Sequence, residues 1–138
     1  MAAVPIVLTN AKVLVNAVDL SAWCRSVKIH YSAEVPETTA MGATSKTRLP
    51  SLKDWSMDLE FNQDFAGAAV DATLFPLVGA AAFTVDVQPV NGARSVTNPS
   101  FTGLALLQDY PPLGQKVGEV AVTTIKVVGA GVMSRLTV

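Results

Sequence analysis

Residues 54–61 read Asp-Trp-Ser-Met-Asp-Leu-Glu-Phe, and they alternate without a break. Trp55, Met57, Leu59 and Phe61 fall on one face, and Asp54, Ser56, Asp58 and Glu60 on the other. A period of two is that of a half-buried strand. The apolar face, with two aromatics, is expected to anchor the core. The other face holds three carboxylates and a hydroxyl with no cation among them, so it must meet water. The strand sits inside a longer run, residues 39–64, TAMGATSKTRLPSLKDWSMDLEFNQD. Its first half has neither a helical nor a strand period and reads as a long exposed connection. Loops of this length in small domains usually have a function.

Upstream, a second amphipathic strand precedes that connection. Val27, Ile29, Tyr31 and Ala33 point inward, and Lys28, His30, Ser32 and Glu34 outward. Pro36 ends or bends it. The two strands therefore form a hairpin with a large, extended tip. Nearer the start, apolar residues 6–8 and 12–18 flank a turn at Thr9-Asn10 and are expected to pair. Residues 19–21 then turn the chain, and residues 21–24 form a single helical turn.

Downstream, the period changes. In DFAGAAVDATLFPLV, residues 64–78, apolar side chains recur at spacings of three and four, and Gly79 follows as a stop. A helix is expected from about Ala66 or Asp71 to Leu77, with Asp71 suited to its start and Pro76 weakening its end. Residues 81–90 alternate again, with Phe83, Val85 and Val87 on one side and Thr84, Asp86 and Gln88 on the other. Asn91-Gly92 and Asn98-Pro99 mark a loop before a strand over residues 100–109. Tyr110-Pro111-Pro112 turns the chain into a strand over residues 118–128. The tail, residues 129–138, finishes the sheet or lies on a neighbour. This order implies a mainly β fold: a β-sandwich or open β-barrel with one short α-helix packed on it and a long β-hairpin loop.

The composition narrows the function. A chain of 138 residues, 50% apolar, has room for one core, so residues 1–138 are expected to form a single domain. A net charge of −1 with only 15% charged residues gives no basic field for duplex DNA or anionic lipid. The positive mean hydropathy is unusual for a small monomer and suggests apolar surface covered by other subunits. The single Cys24 forms no internal disulfide and reads as a small buried hydrophobe. The apolar N-terminus lacks a basic opening and a cleavage pattern, so no signal peptide is expected. Residues 72–85 are too short to span a bilayer.

Chemistry-bearing patterns are few. His30, the one histidine, has no ligand partner at metal spacing and is expected to be exposed and inert. Cys24 and His30 lack an orienting third group. Asp58 and Glu60 share a strand face, as a glycosidase pair would, but a solvated acidic face accounts for them more simply. GAAAF and GAGV lack the spacing and the lysine of a phosphate loop. The expectation is a protein that is not an enzyme and uses no cofactor and no metal.

The run TAMGATSKTRLPSLKDWSMDLEFNQDF, followed by DATLFPLVG, resembles the tail tube (major tail) proteins of long-tailed phages, those of actinobacterial phages in particular. That family commonly carries a Thr-x-Met-Gly or Thr-x-Phe-Gly turn, a basic Thr-rich stretch and a Gly-Leu-Lys-Asp-Trp-Ser-like strand start. The matching residues here are Thr39, Met41 and Gly42, then Lys46 and Arg48, then Leu52, Lys53, Asp54, Trp55 and Ser56. Ser51 stands where a glycine is frequent. The resemblance follows strand order over nearly the whole chain, and its motifs are specific between Thr39 and Gly79.

The resemblance implies a virion structural protein of the phage tail, assembled in the host bacterial cytoplasm. Its partners would be itself, in hexameric rings, and other virion proteins, with DNA only as passing lumen content and no membrane. Met41, Gly42, Lys46, Arg48, Leu52 and Lys53 would then form a contact loop between rings. Asp58, Glu60 and Asp86, with Thr84, would face the lumen and repel DNA. A capsid decoration protein, or a tail completion or neck protein, is the alternative in the same class. A carbohydrate-binding sandwich using Trp23, Trp55 or Tyr110 as platforms is the alternative outside it.

Overall fold

The computed structural model describes residues 3 and 5–138. Its strands are β1 (Lys12–Val15), β2 (Val18–Asp19), β3 (Cys24–Ala33), β4 (Lys53–Asn62), β5 (Phe83–Gln88), β6 (Ser100–Asp109), β7 (Val122–Gly129) and β8 (Ser134–Leu136). A single 3-10 turn, Ser21–Trp23, precedes β3, and helix α1 (Val70–Leu74) runs on into a second such turn, Phe75–Leu77. The strands form one antiparallel sheet in the order β2-β1-β5-β6-β7-β4-β3, with β8 beside the start of β6. The sheet curls: Val27 and Ile29 of β3 line the same apolar depression as Val87 of β5 and Phe101 of β6, although β7 and β4 lie between. The result is an open barrel whose margins are β2 and β3.

β4 behaves as its alternation requires. Trp55, Met57, Leu59 and Phe61 are buried, and their neighbours are not. Each fully buried apolar side chain contributes about 1.5–3 kcal/mol. Inward residues of the other strands, among them Val13, Val15, Val85, Ala105, Ile125 and Val127, complete the interior, and Val70, Leu74 and Leu77 close it from the helix. Trp55 also has its polar edge satisfied, donating from Nε1 to the Gly131 carbonyl at 2.9 Å. Its ring occupies space left by two glycines. A Cβ on Gly103 would lie 2.8 Å from the indole, and one on Gly129 would overlap it outright.

The N-terminal hairpin lies later than the sequence suggests. β1 pairs with β2 across Asn16 and Ala17, whose φ values of 50° and 66° are those of a tight primed turn. Thr9-Asn10 is therefore not the turn, and Ile6, Val7 and Leu8 form no strand and stay exposed. β7 starts at Val122 rather than at residue 118, because residues 116–119 close a turn through Glu119 N–H and the Lys116 carbonyl. In β3 the alternation holds only at Val27 and Ile29, while Tyr31 is 53% exposed, because this strand lies at the sheet margin. In β5 the expected outward residues Asp86 and Gln88 are buried.

Two substitutions test this account by chemical denaturation. Trp55→Ala removes the indole and its hydrogen bond, and is expected to cost about 3–5 kcal/mol. Ala17→Gly relieves a left-handed alanine and should stabilise by roughly 0.5–1 kcal/mol.

Candidate assembly surfaces

The connection between β3 and β4 is an arm. Residues 34–52 are exposed throughout, yet the β3–β4 ladder continues along them. Glu34 and Leu52 are joined by N–H to carbonyl bonding at 2.9 Å, Leu49 N–H reaches the Pro36 carbonyl at 3.1 Å, and Thr38 N–H the Thr47 carbonyl at 2.7 Å. The Thr38 and Thr47 hydroxyls meet at 2.9 Å, and Thr39 Oγ1 accepts from Thr47 N–H at 2.9 Å. Threonines and extended residues thus carry the hairpin outward, and Gly42, with φ of 85°, turns its tip. Met41 stands fully exposed beside it, and Leu52 at the root is 76% exposed. Lys46, Arg48 and Lys53 are exposed along the same arm, with Arg48 opposite Glu37. An arm with a backbone ladder and no buried side chain adds nothing to the core of its own chain.

The outward face of β4 differs from its sequence reading. Asp58 lies in register between Lys28 of β3 and Lys126 of β7, and His30 Nε2 is 3.3 Å from its Oδ2. Glu60 lies 3.6 Å from Arg25. The face is therefore mixed in charge, because the neighbouring strands supply the cations that this face of β4 lacks. Lys28 is legible as outward from the alternation of its own strand, but its placement beside Asp58 is fixed only by register.

Asp86 does not share that surface. It is buried, accepts a hydrogen bond from Arg94 Nη2 at 3.1 Å and one from the Ser100 hydroxyl, and so ties the loop after β5 to β6. Asn98 fastens the same loop, with its side chain bonded to both backbone groups of Val90. Asp86 is thus a structural residue of that loop, whereas Thr84 is exposed on β5.

The aromatic platforms of a sugar-binding module are likewise occupied. Trp55 is in the core. Trp23 Nε1 donates to Asp64 Oδ2 at 2.9 Å, and the Tyr110 hydroxyl donates to Asp71 Oδ1 at 2.6 Å while accepting from Gln63 Nε2 at 3.0 Å. These bonds strap the helix to the end of the barrel remote from the arm. Burial pushes the Cys24 thiol up, away from the thiolate a nucleophile needs. Among the described residues no group of three or more His, Cys, Asp or Glu is placed to hold a metal ion, and no helix is long and apolar enough to cross a membrane.

No family model matches the chain, and no curated protein does. Solved structures do match. A chain of the anti-feeding prophage cap, which terminates a tube, superposes with a TM-score of 0.72 at 11% identity, covering 100% of this chain and 95% of that one. A chain of the sheath/tube terminator of an extracellular contractile injection system gives 0.71 at 14% identity, over 97% and 99%. A chain from the tail of an empty gene transfer agent particle, refined with C6 symmetry, gives 0.59 at 15% identity, over 82% and 81%. The fold is thus the one found in tail tube-like chains of phage-like particles. At these identities the likeness is one of architecture.

The Tyr110 strap can be tested at alkaline pH. Burial, then the bond to the Asp71 carboxylate, raise the tyrosine to about 12 from its usual 10.0, against a smaller opposing effect of Gln63. A raised value in the folded state means that the stabilisation is present below pH about 10 and is lost as pH rises through about 12. Ultraviolet titration should show one late tyrosine, and Tyr110→Phe should abolish both it and this part of the alkaline loss of stability.

Proposed function

We propose that the chain is a structural protein of a phage-like virion tail, and within it the tube subunit, closing into rings that stack around a DNA-conducting lumen. The observation that carries this reading is the arm: a hydrogen-bonded hairpin ending in a fully exposed methionine, with no buried side chain of its own. Such an element is ordered only to meet another molecule. Further large apolar side chains lie exposed around the barrel, among them Val7, Phe75, Val117, Val120 and Val132. That much apolar surface is a liability in a monomer and is expected of subunits covered on several sides. The long marginal strand β3 offers a free edge for pairing between neighbours.

Six subunits per ring is the number supported by the C6 symmetry of the gene transfer agent tail. In the assembled tube the outward face of β3, β4 and β7 would line the lumen. There Asp58 and Glu60 would be balanced by Lys28, Lys126 and Arg25, and Asp86 would take no part. The contact residues Met41, Gly42, Lys46, Arg48, Leu52 and Lys53 would lie between rings. Lys46 and Arg48 would make stacking weaken with salt. The protein would reside in the virion, contact other tail proteins, and be assembled in the host bacterial cytoplasm. It would act as a structural element and not as an enzyme.

A second role has a specific observation behind it, since two of the matched chains belong to a cap and a terminator of tubes. A terminator would close into rings that do not stack on one another. Negative-stain electron microscopy and light scattering across a concentration series separate the readings. Hollow tubes are expected. Rings that stay single would favour the terminator, and persistent monomers or trimers would overturn both in favour of a capsid decoration role. Replacing residues 39–46 by a two-residue turn should leave the unfolding midpoint unchanged and abolish tubes. Tubes that persist without the tip would rule out the arm as the stacking element.

A further inference from the structure

We infer that the arm tip is received by the opposite end of a second copy, at the loop between β6 and β7 beside Phe65. The inference deepens the tube reading and rests on it. β4 leads from the arm root at Lys53 to Asn62, so at about 3.3 Å per residue the two ends of the barrel lie roughly 30 Å apart. At the far end, residues 110–121 form a long excursion fastened at both sides. Gln63 Nε2 donates to the Pro112 carbonyl at 2.8 Å, Gln63 N–H to the Ala121 carbonyl at 2.9 Å, and the Thr123 hydroxyl to the Pro111 carbonyl at 2.8 Å.

A loop held this firmly would be expected to tuck its apolar residues inward. Instead Val117 is fully exposed, and Leu113 and Val120 are each 70% exposed, with Phe65 at 57% next to the same anchor. Their exposure is built in: Gly118, with φ of 92°, and the Glu119 to Lys116 turn hold Val117 at the apex. The tip of the arm presents the counterpart, a fully exposed Met41 whose flexible thioether adapts to an irregular apolar surface.

Charge agrees with this pairing. Lys46 is the one charged residue of the tip, residues 39–46, and Arg48, further down the arm, lies opposite Glu37. The receiving end carries Glu119, Asp64 and Asp71 against Lys116. Asp64 and Asp71 are bonded by the Trp23 indole and the Tyr110 hydroxyl, both neutral, so their charge is not cancelled locally. A positive tip and a negative receiver at opposite ends form a head-to-tail contact, which does not close on itself and therefore extends into an open polymer. The same polarity disfavours tip against tip.

The test uses disulfide capture in a Cys24→Ser background. Met41→Cys protein and Val117→Cys protein are prepared separately, oxidised alone and oxidised after mixing. Both positions are fully exposed, so neither change threatens the fold. A cross-linked dimer that accumulates only in the mixture is the expected result. Val117→Asp should in addition raise the concentration needed for tubes about tenfold. Tubes from the parent chain with no cross-link in the mixture would overturn this inference and leave the tube reading standing. A parent chain that forms no tubes at any concentration would overturn both.

Discussion

The structure depends on the register of β4, and that register is held by one indole. Trp55 reaches across the barrel wall into space that exists because residues 103 and 129, on two different strands, have no side chain. Its Nε1–H then finds the Gly131 carbonyl, so the ring is pinned along its plane and at its edge. Shifting β4 by one residue would put Ser56 into that space and three carboxylates into the core beneath it, at a cost far above the stability of a small domain. The position of Trp55 therefore fixes which face of β4 looks outward, and with it the direction of the arm that leads into this strand.

From this follows a division of labour along the chain. Interior residues come from the alternating halves of β1, β4, β5 and β7, where each buried apolar side chain has a pleat-defined place. The arm, the N-terminal residues 6–8 and the β6–β7 loop contribute almost nothing to that interior and are nevertheless apolar. Two kinds of hydrophobicity coexist in one short sequence, one spent within the chain and one available between chains. A positive mean hydropathy reports their sum and cannot separate them.

The same distinction explains what was legible in the sequence. Alternation identified β3, β4 and β5 and the arm between the first two, because a period of two survives as long as one face is buried and the other wet, and turn residues before Ser100 marked β6. It misplaced the first hairpin, since Asn16-Ala17 lacks the glycine that usually marks a primed turn, and Thr9-Asn10 looked like the better turn. It placed Asp86 on an open face because parity is indifferent to what covers that face. Here Arg94 folds over the carboxylate from a loop whose path has no periodic signature, and Ser100 meets it from the start of β6. The register between strands was equally beyond reach, so Lys126 could not be set beside Asp58 in advance.

That last point changes the physics of the surface proposed to line a lumen. Taken alone, β4 presents an acidic stripe that would repel a polyanion. Taken with its neighbours in register, two of its three carboxylates have cations at their side: Asp58 lies between Lys28 and Lys126, and Glu60 lies near Arg25, while Asp54 lies opposite Ser32. Opposite charges interleaved on adjacent strands in this way leave little field beyond a Debye length of about 8–10 Å. A duplex passing at that distance would be neither pulled to the wall nor held off it. Within the tube we propose, free passage would then rest on cancellation between strands and not on repulsion. The pairing also lets β3, a marginal strand whose side chains are at most half-buried, gain hold on β4 through its outward face.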